Sequence, residues 1–148
     1  MNKIIIQILV GCFFIFIIAV QASAHCEIPC GIYDDEMRIN LINEHIVTVE
    51  KCMIQIAELE KEEHHNPNQL VRWIMNKERH ADEIQEIVSQ YFMTQRIKSD
   101  TENYEKKLGL LHQIFIYSMK CKQTTDLANV NKLKDLVNEF KTLYFKKK

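Results

Sequence analysis

Beyond residue 33 the chain contains one glycine, Gly109, and one proline, Pro67. With so few residues able to break a helix, long helices are the structures this stretch most readily forms. From Asp34 to about Glu63, the apolar residues Met37, Leu41, Ile42, Ile46, Val49, Met53, Ile56 and Leu59 recur at three- and four-residue steps, the pattern of one helix face. Pro67 restricts its predecessor to extended backbone, so the run His64 to Asn68 is expected to end this helix. A second helix is expected to reach about Ile97, with Leu70, Trp73, Ile74, Ala81, Ile84, Ile87, Val88, Tyr91 and Phe92 as its stripe. Asp100 or Thr101 can cap a third, carried by Tyr104, Leu108, Leu111, Ile114, Phe115 and Met119. Thr125 or Asp126 can cap a fourth, carried by Leu127, Val130, Leu133, Val137, Phe140 and Tyr144. No strand pattern competes. The expected fold is all-α: an antiparallel four-helix bundle over residues 34–148.

The first 33 residues read differently. Lys3 precedes an apolar run from Ile4 to Val20, and Ala22 and Ala24 give the small-x-small pattern of a signal-peptidase site. Residues 1–24 are therefore expected to be a removed signal peptide, which implies an exported protein with no membrane association after cleavage. A membrane anchor is the competing reading, weakened by Gln7 and Gly11. Cleavage after Ala24 makes His25 the first residue.

Net charge is −1 at pH 7, and only Lys3 among the charged residues is lost with the leader, so nothing points to nucleic acid as a partner. Among the cysteines of the remaining chain, Cys52 and Cys121 lie on expected helices, where buried thiols are favoured over a bridge. Di-iron bundles carry Glu-x-x-His on two helices. Here Glu62 and His65 alone have that spacing, beside Pro67 and with no second copy. His45, His64, His65, His80 and His112 are scattered and are expected at the surface or at helix ends. No haem signature, nucleophile motif or phosphate-cradling loop is present, so the chemistry is expected in residues 25–33.

That segment reads His25-Cys26-Glu27-Ile28-Pro29-Cys30-Gly31-Ile32-Tyr33. Cut after Ala24, it presents an α-amine, an imidazole and two thiols within one short loop. Nitrogen and thiolate donors suit nickel, copper and zinc, and a square-planar set favours Ni(II) or Cu(II) over tetrahedral zinc. Pro29 fixes φ before Cys30, and Gly31 permits a backbone that a Cβ would resist. A Cys26–Cys30 disulfide is the alternative use of the same two residues.

These residues resemble the nickel hook of nickel superoxide dismutase, His-Cys-x-x-Pro-Cys-Gly-x-Tyr, at every fixed position. Arg72, Lys77-Glu78, Ala81 and Tyr91-Phe92 resemble the same family's second helix. The resemblance implies a four-helix bundle and an enzyme that disproportionates superoxide to O2 and H2O2 by Ni(II)/Ni(III) cycling. It implies a nickel ion as cofactor, superoxide as substrate and a homohexamer. It further implies that the His25 amine, the Cys26 amide nitrogen and the thiolates of Cys26 and Cys30 are equatorial ligands. The His25 imidazole would be axial, and Tyr33 would stand near the open face to screen access. The runner-up is an exported copper- or nickel-binding bundle without turnover.

Two departures from the family stand out. Asn40, after Arg38-Ile39, occupies the place of a carboxylate or amide that steers the imidazole, and His80 stands where some members carry arginine. Changing a ligand's hydrogen-bond partner shifts affinity or activity by about 10–100-fold, so a shifted nickel potential is expected rather than lost function.

Overall fold

The computed structural model describes residues 31–146 apart from His65. The leader, the expected donors His25, Cys26 and Cys30, the Glu62–His65 pair and the end of the lysine tail therefore lie wholly or partly outside the described residues. Those described contain four α-helices and one π-helical segment and no strand: α1 (Asp35–Leu59), α2 (Pro67–Glu86), the π segment (Ile87–Arg96), α3 (Tyr104–Gln123) and α4 (Leu127–Phe145).

Consecutive helices pack side by side, and α4 returns against α1. The start of α1, the end of the π segment and the end of α4 meet around Asp35, while Lys107 near the start of α3 lies 5.4 Å from the Tyr144 ring. Alternate helix ends thus share one end of the molecule, as an antiparallel up-and-down bundle requires.

Local chemistry sets the boundaries. Asp34 caps α1 by accepting from the Met37 amide at 3.0 Å, and Asp126 caps α4 by accepting from the Ala128 amide at 2.9 Å. Helix α1 ends at Leu59 rather than near Glu63. Glu58, Glu60, Glu62 and Glu63 crowd its last turn and the residues beyond, and carboxylates oppose the negative end of the helix dipole. Pro67 does not end α1 but opens α2, in the first turn where a missing N–H costs nothing, and Asn66 caps it through the Gln69 amide at 3.2 Å. Helix α3 starts after Asn103, held in the left-handed region at φ 56°, and not at Asp100 or Thr101. Thr101 instead accepts from the Lys98 amide at 2.9 Å and closes a turn.

The apolar stripes form one core. Ile42, Ile46, Val49 and Met53 of α1 join Ala81, Ile84, Val88 and Phe92, Leu111 and Ile114, and Val130, Leu133, Val137 and Phe140. At the start of α1 the face is turned from the expected one: Ile39 is buried and Met37 is 43 % exposed. Cys52 and Cys121 are buried free thiols, as favoured from their helical positions. Phe92 centres an aromatic cluster, edge-on to Tyr91 and Phe140 at 5.1 Å each and to Tyr144 at 5.5 Å.

At the opposite end, the almost fully buried Lys77 donates to the carbonyls of Cys121 (3.0 Å), Lys122 and Thr124, the orphan acceptors at the end of α3.

Replacing the fully buried Phe92 by Ala removes the ring shared by three aromatic neighbours. We expect a loss of about 3–5 kcal/mol. Urea unfolding should show it as a lower midpoint with little change in slope.

Candidate functional site

Tyr33 is the one predicted site residue among those described. It immediately precedes the cap of α1, with Gly31 two residues earlier at φ +74°. No described atom crowds the place of a Cβ at Gly31, so the left-handed backbone is what calls for glycine there.

The Tyr33 ring is 44 % exposed, with the Arg96 guanidinium 4.1 Å from its centroid and the Tyr91 ring edge-on at 6.1 Å. Beneath it lies a centre that sequence reading missed. Asp35 accepts four hydrogen bonds: Arg96 Nε (2.8 Å) and the Tyr91 hydroxyl (2.6 Å) on Oδ1, Arg96 Nη2 (2.7 Å) and the Tyr144 hydroxyl (2.9 Å) on Oδ2. Burial alone would raise this carboxyl. The bonds from Arg96, Tyr91 and Tyr144, with the Arg96 charge, outweigh it and hold Asp35 below the ordinary carboxylate range. Burial and the same anion push the Tyr144 phenol up to about 12 and the Tyr91 phenol higher still. The Arg38 guanidinium lies 5.0 Å from the Tyr91 ring centroid, and its buried Nε has no hydrogen-bond partner among the described residues.

The π segment makes this centre possible. Residues five apart on an α-helix point about 140° away from each other. The wider i→i+5 winding, seen in Ile97 N–H to Phe92 O at 2.9 Å, brings Tyr91 and Arg96 onto the same carboxylate. Residues 87, 88, 91 and 92 keep ordinary α spacing, so periodicity alone predicted an unbroken helix to Ile97. Tyr91 and Arg96 stand five residues apart, a spacing that apolar periodicity does not register.

Asn40 is exposed on α1. His45 and His80 do not stand apart at the surface as expected. Their Nδ1 atoms are 2.8 Å apart in a half-buried contact between α1 and α2, and Arg79 Nη2 lies 3.5 Å from His80 Nε2. One imidazole must donate and the other accept, so the contact excludes both being protonated. Burial, then His45 and Arg79, lowers the His80 pKa against the opposing pull of Glu83.

No group of three or more His, Cys, Asp or Glu among the described residues is arranged to hold a metal ion. Burial pushes the Cys121 thiol up to about 11 and raises that of Cys52, so both are protonated and poor ligands. By donor type, the imidazole of His25 and the thiols of Cys26 and Cys30, outside the described residues, are side chains that would fit nickel. No helix among the described residues is long and apolar enough to cross a membrane.

The helical fold is that of the family whose model matches residues 20–148, nickel-containing superoxide dismutase, a class of nickel-dependent oxidoreductases. The chain belongs to that family: it disproportionates superoxide to O2 and H2O2 with nickel as its cofactor. No match was found among curated proteins or among solved structures.

A depressed His80 pKa makes stability greatest above its unfolded value of 6.5, because below it the unfolded chain takes up a proton more readily than the folded one. The melting temperature should fall as pH drops below about 6.5. In the His80→Gln variant the same window should show a shallower slope.

Proposed function

We propose that residues 25–33 are the nickel site of this superoxide dismutase, completed when cleavage after Ala24 frees the amine of His25. The family match supports the reading because it spans the whole motif from His25 to Tyr33. The ligands are the amine and imidazole of His25, the backbone nitrogen of Cys26 and the thiolates of Cys26 and Cys30. Nickel held there supplies one-electron chemistry between Ni(II) and Ni(III).

The remaining tasks fall to the chain itself. Thiolate and deprotonated amide are the anionic donors that favour a higher metal charge, a property that neutral imidazoles alone lack. Gly31 takes a left-handed backbone three residues before the α1 cap, a conformation open to glycine at little cost. Tyr33 screens the open face and holds small anions or water near its hydroxyl. The enzyme acts after export, as the leader pattern suggests.

A homo-oligomer, hexameric by family, is part of the same proposal. Val47 and Ile54 are exposed two turns apart on α1, and Val71 and Met75 one turn apart on α2, apolar rows of a kind that subunit contacts cover. Sedimentation of the native enzyme reads the assembly directly.

Inserting one alanine between Ala24 and His25 displaces the amine and imidazole while leaving every bundle residue in place. We expect superoxide loss at the rate of the uncatalysed reaction, with an unchanged helical circular dichroism spectrum. An insertion variant with parental activity at equal nickel content would refute the terminal-amine site.

A further inference from the structure

The geometry points to Arg96 as a positioning residue for Tyr33, held for that task by Asp35. The inference rests on the reading that Tyr33 stands at the substrate face. Tyr33 lies outside α1 and is nearly half exposed, so no helical packing of its own fixes the ring. Among the described residues its ring meets the Arg96 guanidinium at 4.1 Å and the Tyr91 edge at 6.1 Å.

A cation under a ring orients it only if the cation is itself fixed. Arg96 is fixed in two dimensions: Nε and Nη2 each bond one oxygen of Asp35, at 2.8 and 2.7 Å, so the guanidinium is locked edge-on to the carboxylate. The hydroxyls of Tyr91 and Tyr144 then hold the carboxylate from the other sides, at 2.6 and 2.9 Å. The side chains of Asp35 and Arg96 are only 16 % and 27 % exposed, which limits their freedom to swing away. The winding of the π segment is what delivers Arg96 to this place. The pair is internally neutralised, so its effect on Tyr33 is one of orientation more than of attraction for an anionic substrate. Lysine would keep the charge but not the planar fork.

The variant that separates these effects is Arg96→Lys, tested alone and with Tyr33→Ala in the nickel-loaded mature enzyme. With Tyr33 present, we expect kcat/KM to fall by about 10- to 100-fold, up to the scale of a misplaced group near a reacting centre. Nickel content should be unchanged, and the ring-proton resonances of Tyr33 should shift. In the Tyr33→Ala background, the same substitution should have almost no further effect. An equal loss in both backgrounds, unshifted ring resonances, or nickel lost from Arg96→Lys would each overturn the positioning role. Tyr33→Ala retaining parental activity would instead strike the role of Tyr33 in the proposed site, and the catalytic consequence of its platform with it.

Discussion

The carboxylate of Asp35 is the point on which three parts of the bundle converge. It sits in the first turn of α1, where the exposed amides and the helix dipole favour an anion. It receives hydrogens from the π segment and from the end of α4. Each charge-assisted bond of this kind contributes about 1.5–3 kcal/mol, though such values do not add simply. The donors cannot reverse: the phenols of Tyr91 and Tyr144 are pushed up by burial and by the anion, and the guanidinium of Arg96 is held protonated by the same partner. The polarity of the cluster is therefore constant through the neutral range.

The other end of the bundle solves the converse problem. There the last carbonyls of α3 need donors, and the ammonium of Lys77 reaches them from α2, with Glu78 3.7 Å away as its counter-charge. An anion among the first amides of one helix and a cation on the last carbonyls of another tie both ends of the molecule. The aromatic and aliphatic core lies between them. Both satisfy backbone or side-chain groups that burial would otherwise leave unpaired.

The four helices were legible because their apolar spacing is strong and almost nothing interrupts it, and Asp126 capped α4 as its side chain suggested. Pro67 was misread because the same residue that stops one helix is well suited to start the next, and only the early end of α1 at Leu59 decides between them. The π winding was invisible for a different reason: it shifts hydrogen-bond partners by one residue without disturbing the burial of Ile87, Val88, Tyr91 and Phe92. The donor motif, which lies outside the described residues, was read through its resemblance to the family's hook, and the family match spans it. Its supports were not legible. Asp35 follows Asp34, and a sequence offers no way to tell which carboxylate caps the helix and which one gathers partners from up to 109 positions away. The His45–His80 contact was hidden likewise, although each residue directly precedes a core position, Ile46 and Ala81.

The two interior sulfhydryls have a bearing on survival in service. An enzyme of this family releases hydrogen peroxide, an oxidant that attacks sulfur in its ionised form. Cys121, with its pKa near 11, and Cys52, also raised, both lack solvent access and carry their hydrogens. These two thiols are thereby insulated from corrosion by the enzyme's own product.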